Sequence, residues 1–535
     1  VYNHNRDGGI IPAAVWGATS TVNVNGIAYT TPTGFNQTFG NLNLNGTSIV
    51  WNRTVSLTGH TVVQGNFYIR GSSSRILTLS TSDFNFTVNG TTTIDYNGAI
   101  SDTNINQLNR FDGLVTIAPN GSFNVSPGVS EFRGGITNNG TFTNNGLVTF
   151  SGSSSQILSG TSDFNIGYNA TNSGISIIDG TSVELSSNLL FAGSALIINT
   201  SVSPALNASG GVFDFNGSTA QSMSGSGSGE VSFYYLELSS NSVKTLNYPF
   251  YVARDLTVNP GTTLNMGTAS NTIEVNGDVI VQGTLDFNGS RPKVFTVRGG
   301  FNATTGTVSM NGTGLAHELN LYGGYNEVGT FNTTAGSGSI VRYAGLGDQS
   351  VFASDNYVNL GISGGGEKLL SGNTTVSGTI DFLNGVLQLS DHNLTLTSGL
   401  ANPVTGTLNS TSMIGTDGDG YLIRNAGVAS GIHFALGSGG YYSPVVIDAI
   451  SPTTGTISVR AVSGMLGSNF VEKYWDIKTG SDNPTATVTF SYSTPECGFI
   501  LDTVYYMTPT GIWTGSNGTV SFGANSFTVS NTTDL

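Results

Sequence analysis

The sequence predicts an all-β chain: a β-solenoid or β-helix-like repeat array followed by a C-terminal β-sandwich. Three observations carry this. Apolar residues alternate with Thr, Ser and Asn at a period of two, as half-buried strands require. Asn-Gly and Gly-Ser turns interrupt these runs at short, regular intervals, and Asn and Gly supply the positive-φ positions of tight turns. A longer motif of more than one strand then recurs along the chain. Helix formers are scarce beside these residues.

The short runs come first. Leu42-Asn43-Leu44-Asn45-Gly46, Thr87-Val88-Asn89-Gly90 and Ile273-Glu274-Val275-Asn276-Gly277 each alternate and then turn. The longer repeat is clearest in two stretches. Phe213-Asp214-Phe215-Asn216-Gly217 leads through Gln221 to Tyr235-Leu236-Glu237-Leu238 and then to Lys244-Thr245-Leu246, Leu256 and Gly261. Val341-Arg342-Tyr343-Ala344-Gly345 leads through Gln349 to Val358-Asn359-Leu360-Gly361-Ile362 and then to Lys368-Leu369-Leu370, Ile380 and Gly385. A weaker copy runs from Val148-Thr149-Phe150-Ser151-Gly152 to Gln156. Individual repeats hold few large apolar residues, which favours stacked coils over a string of independent sandwiches. Coils of roughly 22 residues at about 4.8 Å per coil are expected.

Beyond residue 405 the pattern changes. Tyr421-Leu422-Ile423-Arg424, Ile432-His433-Phe434, Tyr441-Tyr442-Ser443-Pro444-Val445-Val446-Ile447, Ile457-Ser458-Val459-Arg460, Lys473-Tyr474-Trp475-Asp476-Ile477 and Ala486-Thr487-Val488-Thr489-Phe490 follow in quick succession. So many strands in so short a stretch predict one antiparallel sandwich. The expected organisation is an N-terminal arm or cap over 1–35, the repeat array over 36–404, and an immunoglobulin-like sandwich over 405–535.

Composition excludes several function classes. The chain has 17 Lys+Arg against 32 Asp+Glu, a net charge of −15, and only 9% charged residues. No basic run exists to neutralise a duplex, so nucleic acid is not an expected partner. No apolar run is long enough for a membrane-spanning helix. The single cysteine, Cys497, excludes an internal disulfide and a cysteine zinc site. With 37% apolar and 10% aromatic residues the chain is not a disordered tract.

The two long repeats and the late strands resemble the strand-repeat arrays of large secreted surface proteins of Bacteroidota. The Gln221 and Gln349 strands, the Lys244 and Lys368 strands, and above all the block Glu472-Lys473-Tyr474-Trp475-Asp476-Ile477 carry the resemblance. It implies export, with the signal peptide removed from the mature chain, a place at the cell surface, and adhesive or structural work without a catalytic set. A surface filament, sheath or layer built from copies of the chain is the expected function. A monomeric adhesin or glycan-binding stalk is the second reading, and a carbohydrate-active β-helix enzyme the third.

Candidate sites are few. Ile10, Ile11, Val15 and Trp16 form an apolar N-terminal stretch, read as an assembly arm that adds to a neighbouring subunit or as a cap of the first coil. Asp417 and Asp419 alternate with glycines in a turn, a pattern that can hold Ca²⁺, although the closing Glu of a calcium loop is missing. No other cofactor is expected. Sequons are frequent, and Asn36, Asn45, Asn52, Asn89, Asn120, Asn139, Asn216, Asn288, Asn311, Asn332, Asn373 and Asn517 are candidate glycosylation sites. The same Asn-Gly-Thr strings are also good turn chemistry. His317-Glu318 reads as a surface pair, and the string Gly225-Ser226-Gly227-Ser228-Gly229 as a flexible loop that mimics a nucleophile elbow.

Overall fold

In the computed structural model the described residues are 1–535 without 168–172, 288, 428–430, 452–454, 465–472, 481–484, 494–503, 508–512, 517 and 533–535. They contain no helix; the chain is 51% strand and forms a β-solenoid of about 19 turns, with further sheets at its C-terminal end. It divides into two compact units, Val1–Leu285 and Asp286–Leu535.

The first unit is a stack of three-strand coils. Each strand pairs in parallel with its counterpart one coil on. Tyr2 stands opposite Val22, Val22 opposite Leu42, Leu42 opposite Phe67, and Phe67 opposite Thr92. A second ladder runs from Phe86 through Asn109 and Ser130 to Val148. A third runs from Leu79 through Ile100, Phe123, Phe142 and Phe164 to Leu189. Coil length varies: Phe233 lies one coil from Val252, and Leu158 one coil from Leu185. Residues 1–35 take part in this stacking, since strands Tyr2–His4 and Thr21–Val24 are register partners.

The period-two pattern explains the core. Along Asn41–Asn45 the leucines are buried and the asparagines are not. Because partners are in register, like residues stack on like. Phe123 and Phe142 lie 5.2 Å apart and nearly parallel, and Phe142 meets Phe164 at 5.3 Å. On the outer face the same register builds amide ladders: Asn43 donates to Asn23 at 2.7 Å, and Asn23 to Asn3 at 2.8 Å. Strand-to-strand stacking of identical amides satisfies side chains that a flat polar surface would leave to water.

Corners need small residues, because backbones of successive coils nearly touch there. The Gly225–Gly229 string shows this and corrects the expected flexible loop. Gly227 and Gly229 donate their N–H groups to the carbonyls of Ile198 and Thr200. A Cβ at Gly225 would sit 1.8 Å from the Ile198 carbonyl oxygen. The glycines are there for close approach, not for mobility.

The second unit has the same coiled plan in its first part. Phe295 faces Leu319, which faces Val341, then Leu360, Ile380 and Val404. Parallel pairing runs past the expected boundary at 404, as far as Gly415 opposite Gly437. Antiparallel strands then join the coil edges directly. Thr456–Ser463 pairs with Leu422–Asn425, and Tyr441–Tyr442 with Leu436–Ser438. A five-stranded sheet of Ile432–Phe434, Val445–Ser451, Thr485–Ser491, Ser526–Thr532 and Thr519–Phe522 lies beyond them. Trp475 of the neighbouring sheet packs on Phe490 at 5.0 Å and Phe527 at 5.9 Å, so the two sheets meet face to face. The sandwich is thus fused to the coil, covering strand edges that would otherwise be open.

Phe142→Ala should cost about 4 kcal/mol locally, since its ring is fully buried between two others. Hydrogen exchange should show lost protection in the strands that hold Phe123 and Phe164, with distant coils unchanged, because each coil contacts its neighbours only.

Candidate functional site

The residues that mark the long repeat meet in space. Gln221 stands in register with Lys244, and Gln349 with Lys368. All four side chains are buried. The Gln221 amide donates to the carbonyls of Phe191 and Gly193 at 2.8 and 2.7 Å, while its oxygen accepts the Gly217 N–H at 2.9 Å. Lys244 reaches back from the next coil and donates to Gly217 O and Gln221 Oε1, both at 2.6 Å, and to Ser242 Oγ at 2.8 Å. The second copy repeats the arrangement. Gln349 bridges Leu321 O and Gly323 O and accepts from Gly345 N, and Lys368 donates to Gly345 O and Gly347 O at 2.8 and 2.7 Å. In the weaker copy Gln156 is buried and bonds Ser151 O, but Val183 stands where the lysine would be.

This is a brace. Three successive coils bend at one corner, where backbone groups leave the ladder and need partners. Gln supplies two donors and an acceptor, and Lys three donors. Burial pulls each lysine down to about 8. The ammonium of Lys244 makes three hydrogen bonds, which leaves no proton-bearing position for a substrate.

Asp214 lies on the outer face of the same coils. It is the register partner of Glu237 and accepts from Ser239 Oγ at 2.9 Å. Burial first, and the Glu237 charge with it, push the Asp214 carboxyl up to about 6. Like charges opposite one another on adjacent strands are unfavourable, and this pair is the most perturbed carboxylate arrangement in the first unit.

The acidic turn of the second unit is a bracket between coil and sandwich. Asp417 accepts from Gly439 N at 2.6 Å with one oxygen and from Gln388 Nε2 at 2.9 Å with the other. Asp419 is ion-paired with Arg460 at 2.6 Å. Arg460 also holds Asp476, which accepts the Tyr421 hydroxyl. Burial, and then Asp476, raise the Tyr421 hydroxyl. Asp417 is thus engaged by protein donors, whereas the Asp419 side chain remains 88% exposed beside Arg460; no group of three His, Cys, Asp or Glu suited to a metal occurs among the described residues. Asp476 of the Tyr-Trp-Asp-Ile block is the centre of this bracket, while Trp475 beside it fills the sandwich core.

His317 is buried, against its expected place in a surface pair. It stacks edge-on against Phe287 at 5.7 Å, and burial lowers its basicity. Glu318 alternates to the outer face and lies 3.7 Å from Arg342. The period of two puts neighbours on opposite faces, so an adjacent His-Glu pair cannot share one.

The four arm residues separate. Ile11 is buried under the corner where Ile10 bridges Thr33, and Trp16 packs on Tyr2 at 5.6 Å and donates to Gln37 at 2.9 Å. Ile10 and Val15 point to solvent. Among the sequons Asn36, Asn52, Asn89, Asn120 and Asn373 are exposed, and Asn45, Asn139, Asn216, Asn311 and Asn332 are half-buried; Asn288, Asn517 and Cys497 lie outside the described residues. Several bind the adjacent coil: Asn52 accepts Ile76 N, Asn139 Thr161 N, and Asn373 Asn393 N.

An apolar cavity lined by Phe150, Leu158, Ile175, Leu196 and Phe213 has room for about one water and no polar lining, so it suits no ligand. Comparison with protein-family models, with curated proteins and with solved structures finds no match to the chain.

Gln221→Leu leaves the Gly217 N–H and the Gly193 carbonyl without partners and takes one acceptor from Lys244, while Phe191 O keeps the Asn216 N–H. It should destabilise the corner by roughly 3 kcal/mol and speed exchange of the Gly217 amide about a hundredfold. Asp214→Asn tests the outer pair. A carboxyl raised from 3.8 to about 6 on folding takes up protons in the folded state first, so its contribution is full below pH 3.8 and is lost as pH rises through 6. The melting temperature of the variant should match wild type near pH 3.8 and exceed it above pH 6.

Proposed function

We propose that the chain is a secreted cell-surface structural protein that assembles with copies of itself into an extracellular filament, sheath or layer. The resemblance of its repeats and of its Tyr-Trp-Asp-Ile block to surface-protein arrays motivates export and surface location. The described residues contain no helix long and apolar enough to cross a membrane.

One observation carries the assembly reading. In the second unit a corner of successive coils presents large apolar side chains to solvent. Tyr322, Leu346 and Leu383 occupy it, with Leu346 89% and Leu383 69% exposed, and Tyr325 is exposed beside them. Backbone bonds connect these turns coil by coil, from Leu321 O to Ala344 N, Tyr343 O to Ser363 N and Ile362 O to Leu383 N. Gly364, Gly365 and Gly366, all at positive φ, occupy the turn of the intervening coil, where a Cβ at Gly364 would lie 2.3 Å from the Gly345 carbonyl oxygen. A row of exposed apolar groups supports a protein–protein contact, here with a second copy. Exposed Ile10 and Val15 are a further contact of the same kind at the first coil.

Leu346→Asp with Leu383→Asp should leave the β signal in circular dichroism unchanged, since neither side chain is in the core. Sedimentation and electron microscopy should show polymers for wild type and single particles for the double variant. Wild type that stays monomeric at every concentration would favour the adhesin reading.

A further inference from the structure

A second corner, in the first unit, differs in chemistry. The turn at Arg6–Asp7 is joined to the next coil by Asp7, which accepts the N–H groups of Ala28, Tyr29 and Thr30. Ala28 O accepts from Val50 N, Asn52 Oδ1 from Ile76 N, and Tyr96 O from Gly71 N. These bonds string five turns into one column. Down it the outward side chains are Arg6, Tyr29, Trp51, Arg75 and Tyr96, one from each coil. Tyr29 is 61% and Trp51 57% exposed, and the Arg75 guanidinium lies 5.4 Å from the Trp51 ring centre.

The charge here is opposite to the rest of the chain. Residues 1–96, which span this column, hold Arg6, Arg53, Arg70 and Arg75 against Asp7, Asp83 and Asp95, a balance of +1 within a chain of −15. Asp7 is engaged by backbone N–H groups. Arg70 alone of the four approaches a carboxylate, Asp95 at 3.9 Å. Of the column's own cations Arg6 is exposed and Arg75 half-buried, and neither is paired with a carboxylate among the described residues, whereas Arg53 Nε is buried.

We infer that this corner is a docking ridge for a linear acidic polysaccharide, one bearing carboxylate or sulfate groups. The coil spacing of about 4.8 Å is close to the length of one pyranose ring, so sugars along the column meet an aromatic face or a guanidinium at each step. Exposed aromatic rings offer flat apolar faces to the ring hydrogens of a sugar. Guanidinium forks bind carboxylate and sulfate in two-pronged fashion, and stacking of Arg75 on Trp51 fixes its orientation in advance. A convex ridge accepts a long polymer without needing its end. This docking is independent of whether the chain polymerises.

The test is electrophoresis of the full chain in gels cast with polygalacturonate, heparin or neutral hydroxyethylcellulose, with an oligothymidylate as competitor. Wild type should be retarded by one or both anionic polymers and not by the neutral one, and retardation should fade in about 0.5 M NaCl. Trp51→Ala and Arg75→Gln should each weaken it about tenfold. Both residues are on the surface, so an unchanged β signal keeps the comparison valid. Retardation by only one anionic polymer identifies the recognised group. Absence of retardation in both, equal retardation of the variants, or full competition by the oligothymidylate would overturn the assignment. So would loss of polymerisation in the variants without any glycan retardation, which would make the ridge a contact between copies.

Discussion

Every coil of this protein depends on parallel register with the next. A single coil of three short strands cannot bury its inward side chains or pair its own backbone. Stacking does both at once: Phe123 lands on Phe142, and their strands exchange hydrogen bonds. The same register brings likeness to the outside, where Asn3, Asn23 and Asn43 form a ladder. It also transmits faults, since unlike or repelling residues such as Asp214 and Glu237 are forced to face each other.

The strands satisfy themselves; the corners are the costly part. There the chain leaves the ladder, and carbonyls of two successive coils converge with acceptor capacity the ladder does not use. The Gln–Lys brace answers this twice with the same geometry, and Arg424 answers it once more by donating to Leu400, Ala401 and His433 carbonyls. Buried cations in this protein are chiefly bound to backbone oxygen. That accounts for the lowered basicity of Lys244, Lys368 and Arg424. It also explains why the motif recurs: each copy braces the same corner shape.

The two corner columns show how one fold yields distinct surfaces. Side chains at equivalent turns stand at coil spacing, so any residue type placed there becomes a stripe. In the second unit the stripe is apolar, of leucine and tyrosine, and interrupted by glycine. In the first it combines two cations with three aromatic rings. A solenoid therefore presents linear surfaces suited to linear partners, whether another copy of the chain or a polymer.

The alternation of Leu42-Asn43-Leu44-Asn45 and its Asn-Gly turn determined strand, burial and turn without any tertiary information, because a period of two has one structural meaning. The recurrence of Gln221 with Lys244 and of Gln349 with Lys368 was visible too, but only as a pattern. That these residues touch depends on coil length, which differs from turn to turn and is set by how many residues each corner takes. For the same reason the sequence placed Gly225–Gly229 as a free loop, and gave Asp417 and Asp419 no partner. Their partners, Ile198 O, Gln388 and Arg460, are far away along the chain and adjacent only after stacking. The small positive balance of the first 96 residues was readable by counting. Its arrangement as a column with Tyr29, Trp51 and Tyr96 was decided by the tertiary structure, since only register turns residues a coil apart into neighbours.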